Sequence, residues 1–271
     1  MFPQVTDFSA ECTAFGELLD RALCNDTKLF ERPTQFKNWT LNDILGHLHV
    51  WNWAADTSLN NPDHFQEFMV LVMDAFQRGQ VRTFERQWLK GLEGEALLDT
   101  WRTFAATMCE RFAQADPRTR VKWAGPDMSV RSSITARLME TWAHTQAVYD
   151  LLGIEREHHD RVKNIVVLGI NTYEWTFKNR RLAVPEPAPY VSLGTPSGQH
   201  WEFNEPSAVE CIKGSATEFC QVVTQVRNVD DTALQVRGDN ATSWMAIAQC
   251  FAGAPEDPPT AGSRFIAPVE G

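Results

Sequence analysis

The sequence predicts a mainly α protein, a four-helix-type bundle followed by a small α+β domain, and three observations carry that prediction. Long stretches before Leu182 repeat apolar residues at helical spacing and hold few prolines. Pro185, Pro187 and Pro189 then alternate, which forces an extended connection and ends any helix. Beyond them, short β-type runs flank a loop of Gly, Thr, Pro and Ser. The chain therefore reads as a bundle over 1–180, a proline-rich linker over 181–190 and a small α+β domain over 191–265.

In the bundle, helices are predicted near 6–24, 41–58, 63–89, 94–114, 130–152 and 158–179. The second opens at Thr40, with Asp43 three residues on, the pattern of a capping box. The fifth carries Val130, Ile134, Leu138, Trp142, Tyr149 and Leu152 on one broad apolar stripe. Short connections between long helices favour an antiparallel bundle. In the second domain, Tyr190–Leu193 and Trp201–Phe203 form a hairpin signal, and Ala208–Lys213 and Leu234–Val236 add strands. Ser215–Thr224 and Thr242–Phe251 read as helices, and the tail after Gly253 as loose.

Composition narrows the function. With 271 residues, 43% hydrophobic and 22% charged, the chain has ordinary globular material and enough of it for a real core. A formal net charge of −10 argues against nucleic acid as a partner, because phosphate binding needs a basic footprint. The six cysteines contain no C-x-x-C pair, so buried free thiols in a reducing compartment are expected. No basic patch followed by an apolar run opens the chain, and the apolar runs are too short for a bilayer. The expectation is a cytoplasmic protein with a small-molecule substrate and no membrane partner.

The fifth helix contains Glu140 and His144, four residues apart and so one above the other. On spacing alone a solvated ion pair is the better reading. Their face, however, is framed by Ala136, Ala143, Ala147 and Leu151, which does not look like a solvent face and leaves room beside the helix. A carboxylate buried there must be paired, protonated or metal-bound. Helix two offers His47 and His49, which differ by ~200° around the axis. His47 lies between Ile44, Trp51 and Ala54 on the apolar stripe, while His49 shares the other side with Trp53 and Asp56. A lone His47 reads as a core histidine on a backbone carbonyl. With Glu140 and His144 it completes a two-histidine, one-carboxylate set, which suits Zn²⁺ or another divalent ion with open positions.

The remaining polar candidates are bland. His158 and His159 read as surface, and His64 and His200 have no partner in sequence. Asp43 is explained by its cap, and nothing periodic directs Asp56 inward. Cys109, Cys220 and Cys250 read as small buried hydrophobes.

Two segments resemble a known family. The stretch from Trp39 to Leu48 is similar to the second-helix signature of the DinB-like metalloproteins, closest to the branch containing mycothiol-dependent maleylpyruvate isomerase. Arg137 to His144 resembles that branch's second metal segment, and further stretches at 123–129, 218–225 and 244–249 resemble an actinobacterial-type metal-binding subgroup. The resemblance implies a DinB-like four-helix-type bundle and a sterol-carrier-like α+β C-terminal domain. It also implies His47, Glu140 and His144 as metal ligands, normally of zinc completed by water, with a cleft between the two domains. An arginine there would clamp a carboxylate, Arg227 and Arg237 being the candidates, though both also read as plain surface charges.

The chemistry expected of such a site is Lewis-acid catalysis on a small organic substrate, of isomerase or thiol S-transferase type, with a low-molecular-weight thiol as cosubstrate. A thiol-free alternative is metal-assisted isomerisation, hydration or cyclisation. A non-catalytic, metal-anchored ligand-binding protein is the alternative from a different class.

Overall fold

A computed structural model describes residues 1–268 apart from Asn25 and Thr27. Among the described residues the architecture is mainly helical, with ten α-helices and a small sheet in the C-terminal part, as the sequence predicts. The chain divides into two compact units after Val148, inside one long helix, rather than at the proline-rich segment 181–190. The two helices that precede the prolines pack against their own sheet domain, so they belong with it. Among the described residues no helix is long and apolar enough to cross a membrane.

The first unit contains α1 (Pro3–Leu23), α2 (Leu41–Asn60), α3 (Pro62–Gln77), α4 (Val81–Trp88), α5 (Gly94–Gln114), a two-stranded ribbon of β1 (Arg120–Val121) and β2 (Met128–Ser129), and α6 (Val130–Leu152), whose last turn crosses the division. α1 starts with Pro3 in its first turn, where the missing N–H costs nothing. Val5, Phe8, Phe15, Leu18 and Leu19 then turn inward, and the Phe15 ring meets Trp101 of α5 edge-on at 5.5 Å. α2 opens on the predicted capping box: Asp43 N–H donates to Thr40 Oγ1 at 3.2 Å, and Thr40 N–H donates to Asp43 Oδ2 at 3.0 Å. It packs against α3, α4 and α5 and is buried almost all the way round, which places it at the centre of the unit.

One sequence expectation fails here in an instructive way. The single helix expected over 63–89 is two, α3 and α4, broken at Arg78–Gln80. Gly79 takes φ +65°, Gln80 N–H reaches back to Ala75 O at 2.8 Å and Gly79 N–H to Phe76 O at 3.1 Å, the closing pattern of a helix that ends on glycine. The chain then turns into α4, which is tied to α2: Arg86 Nε donates to Asp43 Oδ1 at 2.8 Å. Asp43 thus caps α2 and anchors α4 at once.

The second unit contains α7 (Lys163–Asn171), α8 (Tyr173–Asn179), β3 (Tyr190–Gly194), β4 (His200–Phe203), β5 (Cys211–Ser215), α9 (Ala216–Val223), β6 (Gln235–Arg237) and α10 (Asp239–Met245). The helix expected over 158–179 is divided at Thr172, whose hydroxyl bonds the carbonyl of Leu168 at 2.8 Å. The sheet runs β4-β3-β5-β6, with β3 parallel to β5 and the outer pairs antiparallel. Val191, Leu193 and Ile212 are fully buried, and α9 packs on the sheet and on α7. That approach favours Gly169, since a Cβ there would meet Phe219 and Val223 at 3.0 Å.

The helix expected over 242–251 is α10, which starts and ends earlier. Past Ala246 the backbone turns to tertiary partners instead, Cys250 N–H to Val223 O and Gln249 N–H to the Thr176 hydroxyl. The tail, expected to be loose, is tied down within this unit: Asn228 donates to Pro259 O, Arg264 to Gln225 O, and Ala267 N–H to Asp150 O.

Candidate metal centre

α2 and α6 bring the predicted trio together. His47, Glu140 and His144 each offer one ligand atom, and those atoms lie within 4.8 Å of one another. Glu140 Oε2 stands 3.4 Å from His47 Nε2 and 3.1 Å from His144 Nε2. Two ligands held at ~2.1 Å from a tetrahedral zinc are about 3.4 Å apart, so the donor set fits a first-row divalent ion in type and in spacing. On the middle of α6, Ala136, Glu140, Ala143 and His144 form a partly exposed stripe beside buried neighbours, and Ala147 on the same face is buried. Small side chains there leave the carboxylate and imidazole open to one side.

The walls are aromatic. The turn before α2 carries Phe36 and Trp39, and Lys37 and Asn38 between them both take positive φ. The Trp39 ring lies parallel to His144 at 5.5 Å and meets His47 at 5.3 Å, while Phe36 stands edge-on to His144 at 5.0 Å. The two imidazoles are 4.6 Å apart.

Sequence reasoning missed the fourth polar member. Glu85 of α4 is 2% exposed and accepts from His47 Nδ1–H at 2.8 Å, and the same oxygen accepts from Trp51 Nε1–H at 2.8 Å. Nothing in the charged run Arg82 to Arg86 marks that residue, because its placement depends on the turn at Gly79. Arg137, also buried, bonds Asn52 Oδ1 at 3.0 Å, and its charge acts on those of Glu140 and Glu85.

The electrostatics follow from these neighbours. Burial pushes the His47 imidazole down, but the charge of Glu85 and hydrogen bonds to Glu140 and Glu85 raise it to about 9. Burial pushes Glu140 up, yet its two histidine hydrogen bonds hold it well below the usual carboxylate range. His144 is lowered by burial, with the His47 charge acting the same way against Glu140. The carboxylates of Glu85 and Glu140 on either side of the His47 ring thus favour positive charge at that point.

The other candidates lie elsewhere. His49 is not on a solvent side: it is buried between Trp88 at 6.0 Å and Phe104 at 5.4 Å, and burial lowers it to about 4. Asp56 pairs with Arg111, and Asp43 with Arg86. His64 is exposed against Trp53, and His200 bonds Ser192 at 2.7 Å. Cys109, Cys220 and Cys250 are buried and take part in no disulfide. Arg227 is neither a surface charge nor free to clamp a substrate. It is 8% exposed and forks onto Asp150 at 2.8 and 2.6 Å. Arg237 is an exposed residue of β6.

Comparison with known proteins bears on the family and the fold. Residues 8–149 match the family model described as the mycothiol maleylpyruvate isomerase N-terminal domain. An uncharacterized protein of Mycobacterium tuberculosis, represented in two strains, is 34% identical over 223 residues, 82% of this chain and 86% of its own length. Two crystal structures of mycothiol-dependent maleylpyruvate isomerase, one of them a histidine-to-alanine mutant, share the fold. Their TM-scores are 0.51 and 0.52 at 15% identity, over 81% of this chain and 86% of theirs.

Proposed function

The chain belongs to the mycothiol maleylpyruvate isomerase N-terminal domain family, and from that premise we propose that it is a metal-dependent, isomerase-type enzyme that acts on a small organic substrate with a low-molecular-weight thiol. The single observation that carries the metal reading is the convergence of His47 Nε2, Glu140 Oε2 and His144 Nε2 on one partly exposed point. Zn²⁺ is the ion that this donor set suits best. When bound, the ion supplies a Lewis acid that stabilises negative charge on oxygen or sulfur beside it. The thiol supplies a nucleophile that adds reversibly to a conjugated double bond and leaves again, so that rotation separates the two events.

The protein's own residues supply the rest. His47 and His144 are neutral donors, Glu140 and Glu85 each contribute one negative charge, and Arg137 returns one positive charge. With a divalent ion held by His47, Glu140 and His144 the site would carry about one net positive charge, which would favour an anionic sulfur or oxygen there. Trp39 and Phe36 narrow the open side and shield it from bulk solvent, which strengthens every charge interaction within. A reversible addition of a preformed thiolate requires no dedicated general base.

The test is metal analysis of the purified protein together with its His47→Ala and Glu140→Ala variants, alongside an isomerase assay on maleylpyruvate with and without thiol. About one equivalent of metal in the parent and loss in both variants is expected; retention in both variants would overturn the site. Turnover without thiol would move the assignment to metal-assisted isomerisation, hydration or cyclisation. Bound metal and ligand without turnover would move it to a ligand-binding protein.

A further inference from the structure

We propose that Glu85 is the positioning residue of this centre: its carboxylate holds His47 as the Nδ1–H tautomer and so presents Nε2 to the ion. The inference rests on the reading of His47, Glu140 and His144 as ligands and adds to them a residue that does not touch the metal.

Four observations carry it. First, a carboxylate only accepts, so the 2.8 Å contact from His47 Nδ1 to Glu85 Oε1 requires the proton on Nδ1, and Nε2 is left as the nitrogen that faces Glu140 Oε2 and His144 Nε2 and would yield its own proton to an ion. Second, Glu85 does not swing freely, because Trp51 Nε1–H grips the same oxygen at 2.8 Å. Trp51 is one helical turn after His47, so α2 supplies both the ligand and the clamp on its orienting group. Third, Glu85 is 2% exposed and its Oε2 has no hydrogen-bond partner. A buried carboxylate with half of its acceptors unused is an expensive way to fasten two helices, and Asp43 with Arg86 already fastens α4 to α2. Fourth, the helix break at Gly79 turns the chain into α4, the helix that carries Glu85 to His47.

A hydrogen-bonded carboxylate also makes an imidazole a stronger donor, and supporting partners of metal-bound histidines are worth ~10–100-fold in metal affinity. Glu85 therefore raises affinity in two ways, by orientation and by charge. The two are separable: Glu85→Gln keeps an acceptor of the same shape and loses the charge, whereas Glu85→Leu loses both.

The experiment is zinc titration of the full-length protein against a competing chelator, for the parent, Glu85→Gln, Glu85→Leu and Glu140→Ala. Nitrogen-15 NMR of the zinc-loaded histidine rings accompanies it. Expected are about 10-fold weaker zinc binding in Glu85→Gln and about 100-fold in Glu85→Leu. The Nδ1–H signal of His47 moves in the first variant and is lost to exchange in the second, while the ring signals of His144 stay in place. Should Glu85→Leu fail to fold, the isosteric Gln variant carries the test. Zinc affinity within twofold of the parent in the Gln variant, or an unchanged His47 ring spectrum in either variant, would overturn the proposal. Tight zinc in the parent, loss in Glu140→Ala and no change in the Glu85 variants would remove Glu85 alone. Zinc binding that ignores Glu140→Ala would remove the ligand set, and Glu85 with it.

Discussion

The two sides of α2 carry the same side chain to opposite ends of its chemistry. His47 faces Glu85 and Glu140 and is raised to about 9; His49, two residues on, faces Trp88 and Phe104 and is lowered to about 4. Both are largely withdrawn from water, so burial alone cannot explain the contrast. What differs is the partner. Where carboxylates answer the imidazole, burial strengthens the attraction and holds the proton; where only aromatic carbon surrounds it, burial removes the proton. A histidine kept between carboxylates is ready to exchange its proton for a metal ion. A histidine kept among aromatics is a neutral filler.

Four perturbations bear on this contrast. The largest separates the two residues by metal. His47→Ala should lower zinc affinity about 10²–10³-fold, because ~10–16 kcal/mol shared among four ligands is about 2.5–4 kcal/mol each. His49→Phe should leave it unchanged, and competition titration of the two variants reads the difference. Equal effects would dissolve the distinction.

Next comes acid. The folded pKa of His49 lies below its unfolded value of about 6.5, so its stabilising contribution is present above that value and lost as pH falls toward 4. The loss is about 3 kcal/mol across the window, from the linkage of pKa to stability. Hydrogen exchange of α2 peptides should show this loss in the parent and not in His49→Phe.

Alkali should do the reverse on the other side of the helix. The folded pKa of His47 lies above its unfolded value, so in the metal-free protein its contribution is complete below about 6.5 and lost as pH rises through about 9. An effect of about 2 kcal/mol is expected, because the side chain is partly solvated and its two carboxylates share the interaction. Zinc should invert the trend, since binding must displace the same proton and so tightens as pH rises. Chemical denaturation at several pH values, with and without zinc, measures both slopes.

The smallest change touches both sides alike. Thr40→Ala removes one half of the capping box of α2 and should cost about 1 kcal/mol of stability in thermal or chemical unfolding. It should leave the order of the two histidine pKa values unaltered in NMR titration, because neither ring's neighbours change.

The capping box, the apolar stripe of α6 and the Glu140/His144 pair were legible in the sequence because each is a local pattern. Spacing along one helix settles which side chains share a face, whatever the helix later packs against. The choice of His47 as the histidine facing Glu140 was legible for the same reason. That His49 would also be buried was not, because amphipathic reasoning assigns one wet side to a helix, whereas α2 is enclosed by α3, α4 and α5. Arg227 is a second case: its buried fork onto Asp150 joins residues far apart in the chain, which no local spacing announces.

By itself, the sequence determined the mainly helical class, the sheet-forming C-terminal segment and that His47 rather than His49 faces Glu140 and His144. Each follows from periodicity and turn chemistry within one element or from a pair of faces. Only the tertiary structure decided that the helices preceding the prolines join the sheet unit, that α3 and α4 part at Gly79, and that Glu85 then comes to stand behind His47. The physical reason is common to all three. A left-handed glycine redirects everything after it, and the contacts made downstream are long-range, so a carboxylate that looks like one charge in a solvated run becomes a buried partner of a histidine 38 positions away.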